Sequence, residues 1–350
     1  MVVVLGVDVH KRTHTFVAVD GVGKQLGQLT VRADTKGHLK AARWAGQQFP
    51  GERRWGIEDC RHLSARLERD LLTAGESVVR VPPKLMAQCR ASARTRGKSD
   101  PIDALAVARA VLREPDLPVA SHDETSRELK LLVDRREDLV ADRTRMVNRL
   151  RWHLHELDPH LDPSPTSLNR AKTRAALTDQ LARFEGLVAE LAGDILADID
   201  RVTQTIDALE RRISHRVEEQ AAGLIGLQGC GALTAAKIIG ETAGVTRFRS
   251  EACYARHAGV APIPVWSGNT AGRVRMSRAG NRQLNAALHR IAVTQIRLDG
   301  EGRRYYRKRI LAGDSTTEAL RCLKRRLARV VFRTLHGLDQ PAAGLQPAAA

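Results

Sequence analysis

Apolar and polar positions follow two different rhythms along this chain, and the change of rhythm divides it. Residues 2–7, 14–20 and 25–32 are short β-rich runs, the second and third parted by the turn residues Asp20, Gly21 and Gly23. The pattern then predicts a helix over 37–48, a strand over 54–58, a helix over 63–74 and a strand over 77–81 that ends at Pro82-Pro83. A further helix is expected over 101–113, with Asp100 as its N-cap and Pro101 at the first helical position. This βββ-α-β-α-β-α order suits a mixed sheet covered by helices, an α/β domain.

Beyond it the period lengthens. Leu129, Leu132, Leu139, Met146, Leu150 and Leu157 recur near heptad spacing, and so do Leu181, Phe184, Val188, Leu191, Ile195, Ile199, Val202, Ile206, Leu209, Ile213 and Val217. Two long helices, 126–157 and 181–220, are expected, parted by the helix-breaking DPHLDPSPTS at 158–167. Arg136 and Arg143 interrupt the first seam, which favours packing of the two helices on each other or on a second copy over an isolated coiled-coil dimer. From Ala221 the chain reads as all-α and basic. The expected division is 1–115 (α/β), 116–220 (a coiled-coil helical hairpin or arm for oligomerisation), 221–337 (helical) and a disordered tail, 338–350.

Charge sharpens this picture. The 350 residues carry a net charge of +17, placed as +8 over 1–115, −5 over 116–220 and +14 over 221–350, where arginine supplies nearly all of it. So one-sided a charge is the footprint of a polyanion binder, and nucleic acid is the expected partner. No apolar run approaches the roughly 20 residues that span a bilayer, and the MVVVLGVDVHK start reads as a strand, not a signal peptide. Five scattered cysteines form neither a CxxC pair nor a disulfide framework. A reduced, cytoplasmic, nucleoid-associated protein without membrane contact is expected.

The α/β region holds the candidate chemistry. Asp8 in GVDVHK and Glu58 in WGIEDC each end a strand-like run, and Asp100 and Asp103 in KSDPIDALA open a helix. Phosphodiester chemistry often uses two divalent cations about 3.5–4 Å apart, and hard ions such as Mg²⁺ take oxygen ligands. Each acid alone also has a plain structural use: a strand-end acid at Asp8, a helix cap and first-turn acid at Asp100 and Asp103. Their joint placement at the first strand, the fourth strand and the last helix of one domain favours a metal site.

Two stretches of the basic third stand out. LIGLQGCGALTAAKIIGE (224–241) resembles a helix-hairpin-helix, in which Gly229 and Gly231 let the backbone approach a phosphate at a helix N-terminus; a tight packing turn is the simpler use. In 257–292, Ser267-Gly268-Asn269 is a turn, and Asn281 opens an amphipathic helix. Arg273, Arg275, Arg278 and Arg282 around this turn, with Arg325 and Arg326 further on, suit phosphate contacts. On chemistry alone Ser267 is only an exposed turn residue.

These features together resemble the DEDD insertion-sequence transposases, the family that includes the Piv-type invertases and bridge-RNA-guided recombinases. GVDVHK, KSDPIDA and the C-terminal segments carry the likeness over nearly the whole chain. The resemblance implies an RNase H-like (RuvC-like) N-terminal domain whose Asp8, Glu58, Asp100 and Asp103 ligate two Mg²⁺. It implies Ser267 as the nucleophile, element-end and target DNA as substrate, a guide RNA, and a dimer or tetramer built through the helical arm. The chain departs from the pattern after Glu58, where Asp-Cys-Arg-His replaces a small residue and glycine, so Asp59 is an alternative ligand. A Mg²⁺-dependent structure-selective nuclease of the Holliday-junction resolvase kind, with Ser267 structural, is the first rival reading. A non-catalytic nucleic-acid-binding protein is the second.

Overall fold

Alternation along the first strand decides the layers of the N-terminal domain. The computed structural model describes residues 2–58, 63–92, 97–121, 123–276 and 280–339, with backbone alone at 276, 338 and 339. In β1 (Val3–Val9), Val3, Leu5, Val7 and Val9 enter one core, and Val4 enters the other. β1 pairs antiparallel with β2 (Thr13–Val19), which pairs antiparallel with β3 (Gln25–Arg32). After α1 (Thr35–Gln48), β4 (Arg53–Glu58) returns parallel to β1. After α2 (Ala65–Thr73), β5 (Ser77–Val81) lies parallel to β4, giving the order β3-β2-β1-β4-β5 with β1 central. Ala41 and Ala45 of α1 and Leu67 and Leu71 of α2 fill the core with Val3, Leu5 and Val7. The opposite core takes Met86 and Cys89 of α3 (Pro83–Ala91) and six buried positions of α4 (Asp100–Arg113), from Ala104 to Val111.

The α4 start corrects one expectation. Ser99, not Asp100, occupies the N-cap, and Asp100 and Pro101 are the first helical residues. Proline is tolerated there because none of the first N–H groups has an intrahelical partner.

The chain forms two compact units, Met1–Glu124 with Thr242–Ala350, and Thr125–Glu241. In the second, α5 (Glu124–Leu157) and α7 (Leu187–Ile225) run antiparallel, with α6 (Ala171–Leu181) between them in sequence and α8 (Ala232–Thr242) following. Val147, Leu150, Leu154, Leu177, Leu181, Leu196 and Ile199 make one core. The arginines that break the α5 seam bond across to α7: Arg136 Nε donates to Glu210 Oε1 at 2.9 Å, and Arg143 Nη1 to Thr203 Oγ1 at 3.4 Å. The second long helix is displaced from the expected span. Leu181 ends α6, Phe184 lies in the break before Gly186 (φ 95°), and α7 continues to Ile225 past a kink at Ala221.

Within the first unit, the C-terminal part comprises α9 (Glu251–His257), the short strands β6 (Pro262–Pro264) and β7 (Val274–Met276), α10 (Arg282–Arg297), α11 (Glu301–Leu311) and α12 (Thr316–Asp339). The helices α9, α10 and α11 each pack on α12. Asp116 pairs with Arg249 at 2.5 Å and Glu114 with Arg256 at 3.0 Å, tying this part to the segment after α4. α12 continues to Asp339, two residues into the expected disordered tail; the rest of the tail lies outside the described residues.

Candidate active site

Two glycines bring the acids to a helix. Gly6–Val7–Asp8 on β1 and Gly56–Ile57–Glu58 on β4 have the same spacing, so each glycine and its acid share the sheet face covered by α4. A Cβ at Gly6 would stand 2.0 Å from the Ala104 carbonyl oxygen and 2.4 Å from Ala108 N. One at Gly56 would stand 2.5 Å from Val111 Cγ2. The hydrogen atom at Gly6 lets the α4 backbone touch the sheet, and the one at Gly56 makes room for the Val111 side chain. Asp100 lies one turn before Ala104, over the carboxyl end of β1. The parallel register steps from Val3↔Arg53 to Val7↔Ile57, and its next step sets Glu58 beside Asp8.

His10 joins two of the acids. Its Nε2 donates to Asp8 Oδ2 at 3.0 Å and lies 3.4 Å from Asp100 Oδ1. Ligand atoms of Asp8, His10 and Asp100 all fall within 4.8 Å of one another. Asp8 is 11% exposed, whereas Asp100 is 49% exposed at the mouth. Burial pushes the Asp8 carboxyl above its ordinary value; His10 opposes this, and the charges of Asp100 and Asp103 add to it. Asp103 is brought to the same helix turn, but its Oδ1 accepts from Arg90 Nη1 of α3 at 3.0 Å. Converging carboxylates that raise one another's cost of ionisation fit a divalent cation, which supplies the missing charge through hard oxygen ligands. His10 was missed in the sequence reading. Its signal was the Asp8-x-His10 spacing, which puts both side chains on one side of an extended chain.

Ser267 sits apart in the hydrogen-bond network. It lies exposed at the tip of the β6–β7 hairpin, next to the exposed Trp266. Its N–H donates to Thr270 Oγ1 at 3.0 Å, and its carbonyl accepts from Thr270 N, also within the turn, at 3.1 Å. Arg273, Arg275 and Arg282 are exposed near the hairpin. Asp59 and Arg278 lie outside the described residues. Gly229 takes φ 84°, a left-handed value that favours glycine, and open space surrounds Gly231 before α8. Arg326 lies over the Tyr305 ring, 4.9 Å from its centroid, and Arg325 is half-buried with its Nη1 fully enclosed.

Two family models match the chain: a DEDD transposase of the IS110 type over residues 5–159, and the transposase IS116/IS110/IS902 family over residues 221–307. The 44.8 kDa protein of insertion element IS116 from Streptomyces clavuligerus is 28% identical over 378 residues, covering 95% of this chain and 94% of that protein. The 42 kDa protein of IS900 from Mycobacterium paratuberculosis is 27% identical over 386 residues, covering 96% and 97%. A solved structure of T. thermophilus RuvC in complex with Holliday junction substrate is similar over 33% of this chain and 98% of that one, at a TM-score of 0.27 and 14% identity. With both models drawn from one kind of transposase and relatives aligned over nearly the whole length, the chain belongs to the IS110-type DEDD transposases, enzymes of DNA strand cleavage and transfer.

Proposed function

We propose that this transposase cuts and rejoins the DNA of its insertion sequence with an acidic metal site and a serine nucleophile. Asp8, Glu58, Asp100 and Asp103 are the ligands, for two Mg²⁺. The observation that carries this reading is the convergence of Asp8 and Asp100 on His10 at the start of α4. The central position of β1 in the order β3-β2-β1-β4-β5 supports an RNase H-like, RuvC-like domain. Mg²⁺, when bound, neutralises the carboxylates and polarises phosphodiester oxygens.

The chain's own residues supply the rest. Ser267 Oγ forms a bond to phosphorus as the bond from phosphorus to a deoxyribose oxygen breaks. The serine gives up its proton and the leaving oxygen gains one, so a strand hydroxyl can later reverse the step. Arg273, Arg275 and Arg282 hold the phosphate charge near the hairpin. Gly229 and Gly231 bring the backbone before α8 to a DNA phosphate, in the manner of a helix-hairpin-helix. The +17 charge suits a guide RNA as well as DNA. The long helices α5 and α7 are the surface through which copies associate, and the work is done in the cytoplasm. Among the described residues no helix is long and apolar enough to cross a membrane.

The test is to incubate the protein with Mg²⁺, element-end DNA and candidate guide RNA, and to look for a protease-sensitive protein–DNA adduct. Ser267→Ala should lose the adduct and keep DNA binding, and Asp8→Asn should lose cleavage. An adduct that persists in Ser267→Ala overturns the serine assignment. Cleavage without any adduct favours the structure-selective nuclease, full cleavage in Asp8→Asn overturns the metal-site assignment, and DNA binding without cleavage in wild type and variants alike favours a non-catalytic binding protein.

A further inference from the structure

Lys324 on α12 is a buried cation whose hydrogen-bond partner carries no charge. It is 9% exposed, and its Nζ donates to Asn285 Oδ1 of α10 at 2.5 Å. The Asn285 amide nitrogen in turn donates to the carbonyls of Ala258 and Gly259, each at 3.0 Å, so the side chain is fixed with its oxygen toward Lys324. The other buried lysine, Lys237, is handled differently: at 3% exposure it has Glu137 at 2.7 Å and Asp134 at 3.7 Å. An ammonium taken out of water with only an amide oxygen before it is costly unless an anion completes its shell.

The surroundings of Lys324 are positive. Arg321 and Arg325 stand three residues before it and one after it on α12, and His289 stands one turn from Asn285 on α10, which packs on α12. Arg321 and His289 are exposed, while Arg325 Nη1 is enclosed without a hydrogen-bond partner. Burial and the Lys324 charge both hold His289 below its ordinary value. The nearest acid before it on α12, Glu318, is engaged in capping the helix: its Oε2 accepts from the Ser315 N–H at 3.0 Å and the Ser315 hydroxyl at 2.6 Å.

We propose that α10 and α12 form a binding site for one backbone phosphate of nucleic acid, with Lys324 as its floor and Arg321 and His289 as its rim. The proposal rests on the transposase reading, since the phosphate belongs to DNA or RNA that the enzyme handles. The site stands at the root of the segment that carries Ser267. There a Cβ on Gly280 would lie 2.2 Å from Gly259 Cα, and the Asn281 N–H donates to the His257 carbonyl at 2.6 Å. A phosphate on Lys324 therefore anchors a strand beside the hairpin through Asn285.

The experiment measures fluorescence anisotropy of a labelled DNA duplex and of a labelled structured RNA across a series of NaCl concentrations. The proteins are the wild type, Lys324→Met, Arg321→Gln and the double variant. Lys324→Met should weaken binding about tenfold or more, as expected for a lost charge-assisted contact. It should also flatten the log–log salt slope by about 0.9 on duplex. Because both residues hold the same phosphate, the double variant should lose that slope once, not twice. The nucleic acid on which the slope changes identifies the source of the phosphate. Wild-type affinity and slope in Lys324→Met on both ligands would overturn the site, as would a double variant that loses two phosphates. Should Lys324→Met fail to fold, Arg321→Gln on the exposed rim carries the same test: an unchanged slope on both ligands overturns the site. Absence of nucleic-acid binding by the wild type would instead strike the transposase reading itself.

Discussion

Adding one methyl group at Gly6 or at Gly56 should disable the acidic site, and the two substitutions should respond differently to relief on α4. At Gly6 the new Cβ meets backbone, 2.0 Å from Ala104 O and 2.4 Å from Ala108 N, so no rotamer change can clear it. Ordinary contact lies near 3.5 Å, which means α4 must lift by about 1 Å or more. At Gly56 the nearest obstacle is a side-chain atom, Val111 Cγ2 at 2.5 Å. Val111 is buried and β-branched, hence stiff, but it can be trimmed. Overpacking of this kind costs about 1–3 kcal/mol, a drop of roughly 4–8 °C in Tm for about 2 kcal/mol in a unit of this size. Displacing Asp100 from Asp8 by about 1 Å should cut Mg²⁺-dependent cleavage by about 10²-fold. The assay pairs thermal denaturation with nicking of supercoiled plasmid for Gly6→Ala, Gly56→Ala and each combined with Val111→Ala. Val111→Ala should recover about 1–2 kcal/mol and most of the cleavage in Gly56→Ala, and nothing in Gly6→Ala. Wild-type Tm and cleavage in Gly6→Ala, or equal rescue of both, would refute the close-packed account of the site.

Two other outcomes follow from the N-terminal domain. His14, buried in β2 and stacked on His38 at 5.1 Å, is pushed down to about 4 by burial first and the second imidazole next. Its folded value lies below the unfolded one, so the stability it contributes is whole above about pH 6.5. That stability is lost as pH falls toward 4, by up to about 3 kcal/mol; His14→Phe should flatten the Tm–pH curve in that window, and an unchanged curve would contradict the assignment. At the acidic site, Arg90→Met removes the positive charge held 3.0 Å from Asp103, so MgCl₂ should raise the Tm of the variant more than that of the wild type; equal shifts would mean that Asp103 does not share the cation.

Much of this site can be read from the chain, for physical reasons that differ residue by residue. Strict alternation in residues 3–9 decides which side of the sheet Asp8 faces, because the opposite side must bury Leu5 and Val7. Asp100 and Asp103 are visible as first-turn acids. The glycine pair was not read, since a glycine inside a strand gives no hint of which part of another element will come near it. Nor was His10, whose partner Asp100 is ninety residues away in sequence. The false start of the second long helix has a related cause. Leu181 continues the heptad seam because α6 shares a core with α5 and α7, and periodicity reports burial without reporting continuity of the chain. Ser267 is the extreme case: its turn is legible, but the role proposed for it rests only on the resemblance, because an exposed hydroxyl has no local signature of activation.

The charges divide along the same lines. In the unit formed by Thr125–Glu241, cations are spent on the fold: Arg136 with Glu210, Arg174 with Asp200, Arg212 and Arg216 with Glu128, Lys237 with Glu137. Several of these bonds join α5 to α7 and set the register of the pair, a use that needs acids at hand, and residues 116–220 supply more acids than cations. The last third has 21 cationic residues against 7 acids and cannot be satisfied in that way. Some of its arginines do find acids, as Arg329 and Arg333 both do at Glu251, but Arg273, Arg275 and Arg282 are presented to solvent. Concentrated like charge destabilises a folded unit through self-repulsion and is relieved by a polyanion. The acidic site has the opposite imbalance, because the charges of Asp100 and Asp103 add to the cost of ionising Asp8. On the proposed reading, phosphodiester and metal are complementary halves of one electrostatic imbalance, the basic third being short of anions and the acidic site short of cations.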